Sequence, residues 1–155
     1  MKKMMAPISI SIALLLALAT VLSAAAAPAR YVHIEAHEYI GQNNEPFLAS
    51  GPAVDAGLIC DSGTTADGSN TGTYSVGSIT YFQVVKTFTC DDFSGSFDVQ
   101  LSVRLNTSTH RTTAAWTVIG GTGDYASLEA RGSLVGTPGD VPGGDIYDTY
   151  NGIAR

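Results

Sequence analysis

Period-two alternation of apolar and polar residues dominates the chain beyond its N-terminal segment. Ser96–Asn106 is the plainest case. Phe97, Val99, Leu101, Val103 and Leu105 fall on one side, and Ser96, Asp98, Gln100, Ser102, Arg104 and Asn106 on the other. Successive strand side chains point to opposite faces, so this pattern predicts a half-buried β-strand. Thr112–Ile119 continues it with Ala114, Trp116 and Val118 on one face, after the polar turn Thr107–Arg111. Ile79–Cys90 is β-branched and aromatic, and the polar connection Asp91–Gly95 joins it to the next strand. Further strands are predicted at Tyr31–Tyr39, Arg131–Gly136 and Asp145–Ile153, with shorter ones around Phe47–Gly51 and Ala56–Cys60. Ser62–Gly72 and Thr137–Gly144 are rich in Gly, Thr, Ser, Asp and Pro and read as loops.

Neither a helical pattern of useful length nor an internal repeat is visible. Seven or eight antiparallel strands in about 130 residues predict an all-β domain, either a closed barrel or a sandwich. Ser96–Asn106 would span about 34 Å, and strands of that length favour the barrel.

The N-terminal segment has a different pattern and a different meaning. Lys2 and Lys3 precede an apolar run from Ile8 to Leu22, and Ser23–Ala27 supplies small residues. This is the order of a secretory signal peptide, with residues 1–26 removed and residues 27–155 forming a single domain. An uncleaved membrane anchor is the rival, although the apolar run is short for a span of about 20 residues. The expected location is extracellular or periplasmic, with no membrane association after cleavage.

Charge then narrows the partners. The whole chain carries a formal net charge of -6. Loss of Lys2 and Lys3 leaves six basic residues against fourteen acidic ones, a formal charge of -8. Nucleic acids and anionic membranes require clustered Lys and Arg, so neither is an expected partner. Oligomeric state is not readable. Cys60 and Cys90 are the two cysteines. Export to an oxidising compartment makes their pairing the simplest reading, and closing a loop of about thirty residues contributes roughly 3–4 kcal/mol in the chain-entropy model. A zinc site is the rival, but two isolated cysteines fall short of four ligands.

Gly121, Gly123 and Ala126 in Val118–Gly132 satisfy the G-x-G-x-x-[GA] spacing of a dinucleotide-binding turn. Such a turn must open a helix long enough to reach a parallel neighbouring strand. Only Asp124–Ala130 is available before Gly132, which is too short for a crossover of a dozen or more residues. No nucleotide cofactor is therefore expected. The run fits a hairpin end instead. Gly120, Gly121 and Gly123 permit positive φ, Asp124 caps a short turn, and Tyr125 and Leu128 plug the barrel end. Gly132 restarts the strand at a bulge or a close backbone approach.

Trp116–Gly132, with its Gly-Gly-Thr-Gly and following aromatic, resembles the glycine hairpin of the allene oxide cyclase and dirigent barrels. The chain as a whole resembles an uncharacterised family of secreted bacterial β-barrel proteins. That likeness lies in Gly51–Cys60, Lys86-Thr-Phe-Thr-Cys90 and Gly95-Ser-Phe-Asp-Val99. The resemblance implies a closed eight-stranded antiparallel barrel with a hydrophobic cavity. It implies no activity, because only the structural hairpin matches.

Several side chains offer chemistry. Lys86 is the one lysine outside the signal segment, and alternation puts it with Phe82, Val84, Phe88 and Cys90 on the expected inner face. A buried lysine can serve as a base or form a Schiff base; a register-flipping bulge or a lysine snorkelling to the rim is the favoured alternative. His33, Glu35 and His37 share one face of their strand and could bind zinc or iron. Val32, Ile34 and Ala36 take the buried face, so a solvated edge strand is the preferred reading. Asp91, Asp92, Asp140, Asp145 and Asp148 read as acidic solvated loops rather than a Ca²⁺ site, since no EF-hand spacing is present. Tyr147 and Tyr150 read as packing residues with Trp116. No metal site is expected.

Three functions remain open. The first is non-catalytic binding of a small apolar ligand or a partner, with Lys86, Phe82, Phe97, Leu101 and Trp116 as pocket candidates. The second is a dirigent- or cyclase-like barrel that guides a reactive substrate. The third is a structural exported domain whose barrel is packed solid. Nucleophilic catalysis has no support, since G-x-S-x-G is absent and His110 lies in a polar turn.

Overall fold

The structure, a computed structural model, describes residues 28–39, 41–141 and 144–155. The segment read as a signal peptide lies outside the described residues. Eight antiparallel strands follow one another around a closed barrel: β1 (Arg30–Tyr39), β2 (Glu45–Ser50), β3 (Ser62–Val76), β4 (Ile79–Cys90), β5 (Ser96–Asn106), β6 (Arg111–Gly121), β7 (Ala130–Pro138) and β8 (Asp145–Ala154). Pairing of β1 with β8 from Arg30–Ala154 to Tyr39–Asp145 closes the ring, so the barrel holds and the sandwich does not.

The bounds of β4 and β5 coincide with those read from alternation. Two expectations fail. Ser62–Gly72 is no loop but most of β3, the longest strand at 15 residues. Its inward positions Gly63, Thr65 and Asp67 are small or polar, and its far half is exposed, so it carries no apolar period. Ala56–Cys60 is no strand: Pro52 opens a four-residue helix, α1 (Pro52–Asp55), and the chain turns behind it. Pro at a first helical position is preorganised for that role.

Closing eight strands leaves an interior only wide enough for side chains, and this chain fills much of it by setting large residues against glycines. Trp116 pairs with Gly132, which pairs with Gly152. A Cβ on Gly152 would strike the Trp116 indole, whose Cη2 would lie 2.9 Å away. Phe47 lies over Gly63 in the same way. Phe88 stacks on Phe97 at 5.0 Å and meets Phe47 and Tyr150 edge-on, while Trp116 faces Tyr150. Such contacts add roughly 0.5–1.5 kcal/mol each beyond area burial.

One end of the barrel is capped. Ala53, Ile59 and Tyr125 are buried there, with Val54, Leu58 and Leu128 packed beside them. A disulfide joins Cys60, just before β3, to Cys90, the last residue of β4. It ties the α1 segment to the wall. The Gly-Gly-Thr-Gly run sits at this end against the β4–β5 turn. Asp124 N–H donates to Ser94 O at 2.9 Å, Thr122 N–H to Ser96 O at 2.8 Å, and Ser94 Oγ lies 2.7 Å from Tyr125 OH.

The three glycines differ in what they do. Gly123 has φ 58° and no space for a Cβ, which would collide with Ser94 O. Gly121 has no positive φ, yet a Cβ there would collide with Tyr125 O. Gly120 has neither constraint, contrary to the sequence reading. Gly132 is a close-approach site in regular pairing, not a bulge.

Gly123→Ala is therefore expected to cost about 1–3 kcal/mol, and Gly120→Ala to stay within about 0.5 kcal/mol of wild type. Urea denaturation measures both. Equal losses at the two positions would contradict this assignment of the motif.

Candidate functional site

On β1, β4 and β8 the inner parity is apolar or small until it meets an acid or a lysine. On β1, Val32, Ile34 and Ala36 are followed inward by Glu38; on β4, Lys86 stands between Val84 and Phe88; on β8, Asp148 precedes Tyr150. Glu45 and Thr65 join them from β2 and β3. All are buried, as is expected of inward positions but unusual for charged side chains.

Lys86 is the hub. Its Nζ donates to Glu38 Oε2, and to Asp67 Oδ1 at 2.6 Å. Asp67 pairs with Lys86 across β3 and β4, and its side chain is half exposed, which links the cluster to solvent. Glu45 Oε1 accepts the Tyr39 backbone N–H. Around this core four buried polar atoms have no hydrogen-bond partner among the described residues: Glu38 Oε1, Asp148 Oδ1, Tyr150 OH and Thr112 Oγ1. Thr112 and Asp148 both flank Gly136 in the ladder. A Cβ on Gly136 would collide with both polar atoms and lie 2.7 Å from Ile146 Cδ1. Gly136 thus leaves the interior to them. An unsatisfied buried polar group costs on the order of 1–3 kcal/mol, so four in one region concentrate unspent hydrogen-bonding capacity there.

The electrostatics follow from burial. Removal from water pushes the Asp148 carboxyl up to about 7, with Glu38 adding to the shift and Lys86 opposing it. Burial also raises Glu38, and outweighs the attraction of Lys86. Burial alone would lower the Lys86 ammonium, but Glu38 and Asp67 more than offset it, and its pKa stands above the ordinary lysine value. Lys86 is held protonated, which removes it as a base or a Schiff-base amine. Burial, then Glu38, Asp148 and Asp67, put the Tyr150 phenol well above its usual range, so it remains a neutral O–H.

Lys86 itself corrects the reading that favoured a bulge or a rim position. β4 and β5 pair without interruption from Ile79–Asn106 to Thr89–Ser96, and the lysine points inward. The β3 irregularities begin only after Asp67. Of the other pocket candidates, Phe82 is half-buried on the inner face, while Phe97, Leu101 and Trp116 belong to the packed core. Asp145 and Asp148 are not solvated loop acids. Asp148 is interior, and Asp145 is buried under the turn that follows β7, accepting from Val141 N–H at 2.9 Å.

The His33, Glu35 and His37 face is outward, as alternation predicts, but β1 is no edge strand, being paired on both sides. His33 Nδ1 lies 2.9 Å from Asn151 Oδ1, and that contact first, with Glu35 second among the groups that raise it, puts its pKa above the usual value. His37 Nε2 lies 2.9 Å from Asp145 Oδ2, and the ring stacks on Tyr147 at 4.1 Å. Among the described residues no group of three or more His, Cys, Asp or Glu is placed to hold a metal ion. A groove of about 390 Å³ lies along β6–β8, lined by outward Thr117, Arg131 and Ile153 and by Val118, Ala130 and Ala154 of the inner parity. Its polar lining residues are exposed, and it lies toward the capped end, away from the acids.

Glu38 escapes the sequence reading and Asp148 is placed by it among loop acids, whereas the Tyr150 ring packs beside Trp116 as expected. The available signal was an acid on the apolar parity of its own strand: Glu38 continues Val32, Ile34 and Ala36. No family model matches the chain, and neither a curated protein nor a solved structure matches it.

A carboxyl whose folded pKa lies above its unfolded value binds its proton more tightly when folded, so its contribution is lost as pH rises through the folded value. Between about pH 4 and pH 7, Asp148 is therefore expected to lower stability by on the order of 2–4 kcal/mol. Chemical denaturation at a series of pH values compares wild type with Asp148→Asn. The variant is expected to be flatter across that window, and identical slopes would contradict a buried carboxyl at this position.

Proposed function

We propose that this protein is an exported, disulfide-bonded barrel that binds a small molecule at its acidic end without turning it over. The observation that carries the reading is the group of four unpartnered buried polar atoms beside Lys86, in a barrel whose other end is plugged. A guest with a polar group could satisfy these atoms while its body meets Phe82, Val103 and Ile146. Binding pockets commonly combine an apolar wall with a few convergent polar groups. The ligand is thus amphipathic rather than purely apolar.

Export is supported by the Cys60–Cys90 bond together with the Lys2-to-Ala27 pattern. Among the described residues no helix is long and apolar enough to cross a membrane. Kinship with the allene oxide cyclase and dirigent barrels is part of the proposal, resting on the glycine hairpin. Binding is preferred over guided cyclisation because Lys86 is paired with two carboxylates and held protonated.

Protein purified from its native exporter and denatured into a mass spectrometer is expected to release one small molecule in near-stoichiometric amount. Gly136→Ala, which drives a methyl between Thr112 Oγ1 and Asp148 Oδ1, is expected to release little of it. A wild-type protein that carries nothing, and whose thermal denaturation is unmoved by an extract of the same cells, would leave the solid structural barrel as the correct reading.

A further inference from the structure

The inward charges at the acidic end do not balance. Glu38 on β1, Asp67 on β3 and Asp148 on β8 act on one cation, Lys86 on β4, and Glu45 on β2 adds its charge beside Glu38. Among the described residues the inner faces of β5, β6 and β7 contribute no ionisable group at this level: Val103, Leu105, Thr112, Ala114, Leu134 and Gly136 occupy them. Lys86 donates to Glu38 Oε2 and Asp67 Oδ1, and among the described residues Glu38 Oε1 and Asp148 Oδ1 keep lone pairs without a donor. A second observation is independent of the acids. Tyr150 is 1% exposed and its OH has no hydrogen-bond partner among the described residues, although its ring is held by Phe88 and Trp116. A buried hydroxyl of this kind is left for something else to bond.

On the reading that this end of the barrel is a binding site, we propose that its ligand is a small organic ammonium, an amine carrying a short apolar body. An ammonium has three donors and no acceptor. Carboxylate oxygens of Glu38 and Asp148, with the Tyr150 or Thr112 oxygen, are the complement of that donor set. Its charge neutralises buried carboxylate that Lys86 does not reach, and hydrogen bonds to ionised groups are about twice as strong as neutral ones. A metal ion supplies the charge but not the fit, since the described acids form no group placed to hold one. A carboxylate or phosphate ligand would bring further negative charge to acids already in excess. Proton uptake by Asp148 is the competing way to relieve the imbalance, so the ligand and the proton exclude one another.

Three probes of six carbons each decide the matter on the folded, disulfide-bonded protein by calorimetry: n-hexylammonium, 1-hexanol and hexanoate. At about pH 8 the ammonium is expected to bind at least roughly tenfold more tightly than either other probe, the effect of one charge-assisted hydrogen bond. Its affinity is expected to fall as pH drops below about 7, with protons released on binding, because the ligand requires ionised Asp148. Asp148→Asn and Glu38→Gln are each expected to abolish the preference. If either variant fails to fold, proton release by the wild type, measured in two buffers of different ionisation enthalpy, carries the test alone. Equal or tighter binding of hexanol or hexanoate overturns the ammonium assignment and leaves the binding reading standing. Binding of none of the three overturns the assignment as well, and the co-purification result then decides the binding reading separately.

Discussion

Closing a sheet on itself obliges every second side chain of eight strands to share one narrow interior, and the rest of this molecule is organised by that shortage of space. Where a large residue enters, a neighbour must vanish. Trp116 takes the room of Gly152, and Phe47 that of Gly63, while at Gly132 the β8 backbone itself comes close. Around Phe88 the aromatic rings pack at stacking and edge-on distances, which leaves that half of the barrel a solid core. Gly136 obeys the same rule for a different purpose, because the side chains it admits, Thr112 and Asp148, are polar.

The acidic end is consequently an interior built by the rules of a core but filled with groups that a core excludes. A buried ion pair is seldom a net source of stability, since desolvation opposes its attraction. Here one lysine faces several carboxylates, burial raises the carboxyls, and the lysine is held charged. The arrangement costs stability that an apolar filling would not, and that cost is intelligible if the groups are kept for a guest. Tyr150 joins the two halves: its ring belongs to the aromatic core, and its hydroxyl lies within the influence of Glu38, Asp148 and Asp67.

How far this could be read in the sequence depended on whether inward residues were apolar. Ile79–Cys90 and Ser96–Asn106 were legible to their last residue because their inner faces are Val, Phe and Leu. β3 was illegible for the same physical reason in reverse: Gly63, Thr65 and Asp67 are small or polar because Phe47, Phe88 and Lys86 occupy the interior beside them. The glycine hairpin could be recognised as turn chemistry. The different tasks of Gly120, Gly121 and Gly123 needed the β4–β5 turn, which sequence separation hides. Lys86 showed itself as a charge on an apolar parity. Glu38 carried the same signal on β1 and was overlooked in favour of His33, Glu35 and His37 on the opposite face. Its meeting with Lys86, 48 positions away, is a product of barrel closure and has no local trace.

The central claim is that Lys86 sits inside the barrel, held between Glu38 and Asp67. Lys86 is the single lysine beyond the first three residues, so its amine can be followed without interference. Competitive acylation of the folded, oxidised protein, read by mass spectrometry on the peptide containing Lys86, measures its availability directly. The account predicts that Lys86 reacts at least about a hundredfold more slowly than in the unfolded chain, because it is both desolvated and kept protonated. Reaction at the rate of a solvent-exposed lysine would place the side chain outside the barrel and contradict the account.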